Sequence, residues 1–197
     1  MKKLIALLSL LTPIIANATP VDGYKDLKFG MTLEEVKNKD KLCESEWRTL
    51  EMNNPFRAIP GFFYCDKFAF NAGYVRAELR FVGNKLQLIE LQMTTVPAYP
   101  KEKLLSLLTE KYGPPVVSQK DLIENDTKAV NRKKNGKKEV FIAEDYTFAD
   151  GSVSLTAYNE NGKYAPANIY YRSQMLINIK DGKEIDEADQ QFLLNEL

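Results

Sequence analysis

Glu144 and Asp145, with Asp150 a short step downstream, are the sequence's nearest approach to a paired-carboxylate site. Two acids flanking a bond can hydrolyse a glycoside, one as acid and the other as base or nucleophile. Neighbours on a strand point to opposite faces, however, and Asp150 before Gly151 is what an Asp-Gly turn requires. The expectation is solvated strand and turn residues, with no catalytic residue among them. The chain contains no histidine. That excludes Ser-His-Asp and Cys-His catalysis, histidine-ligated zinc or haem, and a histidine pH switch. The acidic run from Asp181 to Asp189 invites a calcium-loop reading. With Gly182 at loop position 6, Ile177 and Ile179 would fall on positions 1 and 3 and Ala188 on position 12, so the ligands are missing. A turn and an acidic first helical turn account for the run, and no metal or cofactor is expected.

The N-terminus carries an address. Lys2 and Lys3 precede an apolar stretch from Leu4 to Ile15, and Ala16-Asn17-Ala18 supplies small residues at a cleavage point. This is the layout of a secretory signal peptide over residues 1–18, cleaved after Ala18. The apolar run is shorter than the roughly 20 residues a bilayer-spanning helix needs, so no transmembrane segment is expected after cleavage. No cysteine sits at the cleavage point to take a lipid. The bacterial style of the segment points to the periplasm. Export gives Cys43 and Cys65 a meaning, since two cysteines in an oxidising compartment read as one disulfide. Closing that loop is worth roughly 3 kcal/mol in the chain-entropy model. The bridge would fasten the segment from Trp47 to Phe62 to the body of the fold.

Lysine plus arginine and aspartate plus glutamate each number 27, so the basic footprint of a nucleic-acid binder is lacking. The strongest charge cluster is Lys128, Arg132, Lys133, Lys134, Lys137 and Lys138. It reads either as a solvated loop guarding an edge strand or as an arm that steers an acidic partner. Aromatic residues crowd two regions, Trp47 to Tyr64 and Tyr158 to Tyr171. Strand alternation sends about half of them to the core, and Tyr170 and Tyr171 cannot share a face. The surplus suits a protein-binding hot spot. The candidate partner-binding residues are therefore Trp47, Tyr158, Tyr170, Tyr171, Arg132, Lys133 and Lys134.

These residues need a scaffold, and its punctuation is clear. Thr32-Leu33-Glu34-Glu35 is a capping box that starts a short helix ending near Asn38, with Met31 and Val36 at the staple positions. Strands are expected over Phe62 to Phe70, Val75 to Phe81 and Leu86 to Met93, with a hairpin turn at Gly83-Asn84. A second helix runs from Pro100 at its first position to Tyr112, stopped by Gly113-Pro114-Pro115. Strands then follow over Val140 to Phe148, Val153 to Tyr158 and Ile169 to Ser173, and an amphipathic helix closes the chain over residues 185–197. The fold class is α+β, an antiparallel sheet or sheets with helices on one face. Residues 19–197 form a single domain, in which 27–93 and 100–173 repeat one α-β-β-β layout. Whether they form one sheet or two stays open.

The run from Leu27 to Val36, Leu-Lys-Phe-Gly-Met-Thr-Leu-Glu-Glu-Val, resembles the helix start of small exported α+β proteins. Members of that type include the SmpA/OmlA-like outer-membrane assembly lipoproteins and the β-lactamase-inhibitor-protein-like modules. The run from Leu108 to Pro115 is similar to a helix exit seen in periplasmic proteins of the same build. The resemblance implies a non-enzymatic exported module that binds another envelope protein through its sheet, as inhibitor, immunity protein or assembly adaptor. Two alternatives remain at this level, a small-ligand carrier with an apolar pocket and a carboxylate-only hydrolase.

Overall fold

Thr32 turns the chain into its first helix. Its hydroxyl accepts the Glu35 N–H while the Glu35 carboxylate accepts the Thr32 N–H at 2.7 Å, the reciprocal box read from the sequence. The computed structural model describes residues 21–39, 41–51, 58–71, 73–93, 100–121, 141–160, 163–164 and 168–182. The expected signal peptide, the basic cluster from Lys128 to Lys138 and the expected helix 185–197 lie outside the described residues.

In chain order the elements are β1 (Gly23–Tyr24), β2 (Leu27–Lys28), α1 (Leu33–Lys37), β3 (Arg48–Glu51), β4 (Ala58–Phe70), β5 (Gly73–Val82), β6 (Lys85–Gln92) and α2 (Lys101–Tyr112). There follow β7 (Val116–Asp121), β8 (Phe141–Phe148), β9 (Val153–Glu160), β10 (Lys163–Tyr164), β11 (Asn168–Arg172) and α3 (Gln174–Lys180). Among the described residues β3 to β11 form a single nine-stranded antiparallel sheet, ordered β3-β4-β5-β6-β11-β9-β8-β7, with β10 paired to β9. The two units therefore share one sheet, joined where β6 meets β11.

The order is the same read from either edge. Each half runs helix, edge strand, then three more strands toward the centre: α1 with β3, β4, β5 and β6, and α2 with β7, β8, β9 and β11. The layout is thus α-β-β-β-β twice, one edge strand per unit more than the sequence reading gave. Residues 48–51 and 116–121 are too short and too polar for periodicity to mark them.

One face of the sheet is apolar. Val75, Ala77, Leu79 and Phe81 of β5 alternate with charged residues and are buried, as are Ile89 and Leu91 of β6, Val153 and Leu155 of β9, and Ile169 of β11. Val36 of α1 and Leu104 and Leu108 of α2 join the same core, so both helices cover this face. Each such valine, leucine, isoleucine or phenylalanine contributes roughly 1.5–3 kcal/mol through removal from water. Pro100 precedes the first helical residue of α2 as its N-cap, one place earlier than expected, because its ψ of 147° is still extended.

Two bulges interrupt the alternation of β4 and β6. Cys65 pairs with Ala77 and Phe68 with Val75, so β4 holds one more residue than β5 there, and both Cys65 and Phe68 reach the core. Arg80 pairs with Leu88 but Phe81 with Leu86, which makes Gln87 the extra residue of β6. Between β5 and β6, Gly83 and Asn84 take φ of 48° and 60°, the left-handed pair that a two-residue hairpin requires.

Candidate functional site

The face opposite the helices is built by the other half of each strand's alternation. One row crosses the whole sheet: Arg48, Tyr64, Glu78, Glu90, Tyr170, Ser154, Thr147 and Val116 are successive cross-strand partners. A second row runs beside it through Arg76, Gln92, Asn168, Thr156 and Asp145. The face is mixed in charge and carries two tyrosines.

Its side chains hold one another. Asp66 bridges Arg48 at 2.7 Å and Arg76 at 3.1 Å, and Arg76 Nε donates to Glu78 Oε1 at 3.0 Å. The Arg48 and Arg76 guanidiniums lie over the Tyr64 ring, 5.2 and 4.2 Å from its centroid, and Arg172 lies 5.0 Å from that of Tyr170. Glu90 Oε1 accepts from Asn168 Nδ2 at 2.9 Å and from Gln92 Nε2 at 3.3 Å. Arg172 donates to Ser154 Oγ at 2.7 Å, and Thr156 donates to Asp145 Oδ1 at 2.6 Å. Burial, then the charge of Glu78, pushes the Glu90 carboxyl above its ordinary range, and burial pulls Arg172 below its own. A surface that fixes its long side chains before contact loses less entropy when a partner arrives.

The candidate residues read from the sequence separate in space. Tyr170 lies on this open face, between Glu90 and Ser154. Tyr171 lies on the other face, 3% exposed and packed 4.9 Å from the Tyr24 ring, so it is a core residue with no partner-facing surface. Burial drives its hydroxyl pKa far upward. Tyr158 pairs in register with Ala143. Arg132, Lys133 and Lys134 lie outside the described residues. Trp47 packs against the core side, 6.0 Å from the Phe68 ring, and walls a cleft of about 350 Å³ with Lys37, Lys39, Cys43, Ser45 and Glu46. The Cys43–Cys65 disulfide is formed, with its Cα atoms 6.0 Å apart.

Glu144 and Asp145 diverge, as alternation requires. Glu144 turns to the helix side, where Lys101 of α2 donates to it at 2.9 Å and Tyr146 OH at 2.8 Å, whereas Asp145 turns to the open face. The acids that do meet are Glu78 and Glu90, which sequence reasoning missed. Their signal was present only as alternating charge in β5 and a lone Glu90 in the apolar run of β6, with nothing in either strand to give the register between them. Among the described residues, no cluster of three or more histidine, cysteine or acidic side chains is placed to hold a metal ion. No helix among them is long and apolar enough to cross a membrane.

Fold and site together define an α+β module with a helix-covered core and one mixed-charge sheet face that α1 and α2 leave uncovered. A family model described as an uncharacterised protein matches residues 24–192. The uncharacterized protein PM0314 of Pasteurella multocida (strain Pm70) is 43% identical over 197 residues, covering 99% of this chain and 100% of that protein. The chain belongs to this family of uncharacterised proteins. No solved structure matches it.

Proposed function

We propose that the protein is an exported, non-enzymatic binding module whose open sheet face docks on another protein of the bacterial envelope, as inhibitor, immunity protein or assembly adaptor. The observation that carries this reading is the row Arg48, Tyr64, Glu78, Glu90, Tyr170 and Ser154, which lines up arginine and tyrosine from the β3 edge, at Arg48 and Tyr64, to the centre of a wide sheet, at Tyr170. Those two residue types are enriched at interface cores and hot spots. Opposite charges interleaved along the face favour a protein partner of complementary pattern over a uniformly charged polymer. Export to the periplasm is supported by the signal-peptide layout of residues 1–18 and agrees with the disulfide.

The test is a pull-down with residues 19–197 from envelope extract under oxidising conditions, read by mass spectrometry. The expected result is one stoichiometric protein partner, lost with Tyr64→Ala/Tyr170→Ala in a variant whose circular dichroism is unchanged. A partner retained by that variant would move the interface elsewhere, and an empty pull-down at micromolar bait would overturn the reading for that extract.

A further inference from the structure

The cleft beside the disulfide is separate from the open sheet face. Its walls come from the end of α1, which brings Lys37 and Lys39, and from the strap before β3, which brings Cys43, Ser45, Glu46 and Trp47. At about 350 Å³ it falls at the small end of the range for ligand sites.

Three features give the cleft a chemistry. The first is charge: neither Lys37 nor Lys39 forms a direct ion pair among the described residues, Lys39 meeting the Glu35 carboxylate only at longer range, so both ammonium groups can meet an anion. The second is a plate. Trp47 is half-buried with its ring tilted 59° against Phe68, which seats the indole on the core while part of it lines the cleft. The third is rigidity. Cys43 is bonded to the buried Cys65 and also bridges to Phe68. Glu44 N–H donates to the Lys67 carbonyl at 2.9 Å, and the Ser45 hydroxyl accepts from Lys67 N–H at 3.3 Å while lying 3.4 Å from Cys65 Sγ. The disulfide thus braces the wall that carries Trp47, which is the preorganisation a small site needs.

We infer that this cleft binds a small hydroxylated ring bearing one anionic group, an acidic sugar carrying either a carboxylate or a phosphate. The anion would meet Lys37 and Lys39, the apolar face of the ring would lie on Trp47, and the Glu46 carboxylate would accept from ring hydroxyls. A flat aromatic anion with no hydroxyl or amino group would leave Glu46 without a donor. The ligand class follows from these three contacts together.

Trp47 is the single tryptophan of the chain, so its emission reports on the cleft directly. The experiment titrates residues 19–197 with D-glucuronate, glucose 6-phosphate and glucose while following tryptophan fluorescence. A saturable change is expected with at least one of the two anionic sugars and not with glucose, and which anion responds identifies the acidic group. Lys37→Gln/Lys39→Gln, with unchanged circular dichroism, is expected to weaken that response at least about tenfold, through loss of two charge-assisted contacts. No saturable change with either anionic sugar, an equal response to glucose, or a response undiminished in the double variant would each overturn the inference.

Discussion

Glu78 and Glu90 face each other across β5 and β6 at the middle of the open sheet face, two carboxylates in direct cross-strand register. Like charges so placed normally destabilise a sheet. The conflict is contained by neighbours: Arg76 donates to Glu78, and Asn168 and Gln92 donate to Glu90. Local rules are most often broken where a surface serves binding, which is how this pair supports the proposed interface.

Replacing Glu90 by Gln tests that conflict. Burial and Glu78 hold the Glu90 carboxyl above the ordinary glutamate value of 4.5, so between that value and its folded pKa the native chain binds more proton than the unfolded chain. Stability therefore falls as pH rises through that window, and above it the full cost of the charge is present. Glu90→Gln should melt about 1–2 °C higher than the parent at pH 7 and lose that advantage at pH 4. Thermal unfolding at the two pH values checks it, and a variant that melts lower at pH 7 would show the charge to be stabilising.

The disulfide should be a major support. Removing the bridge between Cys43 and Cys65 in Cys43→Ala/Cys65→Ala should cost roughly 3 kcal/mol and lower Tm by roughly 6–12 °C. Circular-dichroism melting measures this. A drop under about 2 °C would show the strap to be held by its hydrogen bonds alone.

On the helix side, Lys101 ties α2 to β8. Its ammonium reaches Glu144 at 2.9 Å and Tyr146 OH at 3.2 Å, with the Lys101 and Glu144 side chains only 11% and 12% exposed. Burial and the bond to Glu144 raise the Tyr146 hydroxyl above its ordinary value. Lys101→Met should cost about 2 kcal/mol by leaving the Glu144 charge without this partner, and Lys101→Met/Glu144→Gln should recover at least about 0.5 kcal/mol of it. Urea titrations of the four proteins close the cycle, and additive losses would contradict the coupling.

The helix cap gives a smaller effect. Thr32→Ala removes the hydroxyl that accepts the Glu35 N–H and should cost about 1 kcal/mol, while Thr32→Ser should be near neutral. The same denaturation assay separates the two variants.

What could be read from the sequence was what local chemistry dictates. The Thr32 cap, the Gly83-Asn84 hairpin, the helix end at Gly113 and the strict alternation from Val75 to Phe81 all appear as expected. β3 and β7 escaped because edge strands are short and polar, and α3 escaped because its seven residues continue from β11 without a loop. The candidate site was legible only in part. Alternation required Tyr170 and Tyr171 to part, but which faced outward depended on the pairing of β11 with β6 and β9. Trp47 and Tyr170 looked like members of one surface by composition, whereas the structure seats Trp47 on the core side and Tyr170 on the open face. The Glu78 and Glu90 pair needed a register that the bulge at Gln87 sets, and no single strand carries that information.

The most direct measurement places a photoreactive residue in living cells at Tyr170, on the open face, and in a parallel protein at Leu107, an exposed position on α2. If the open face is the interface, irradiation yields a discrete cross-linked adduct from position 170 and none from position 107. An adduct from position 107 alone, or none from position 170 in a folded and exported protein, would contradict it.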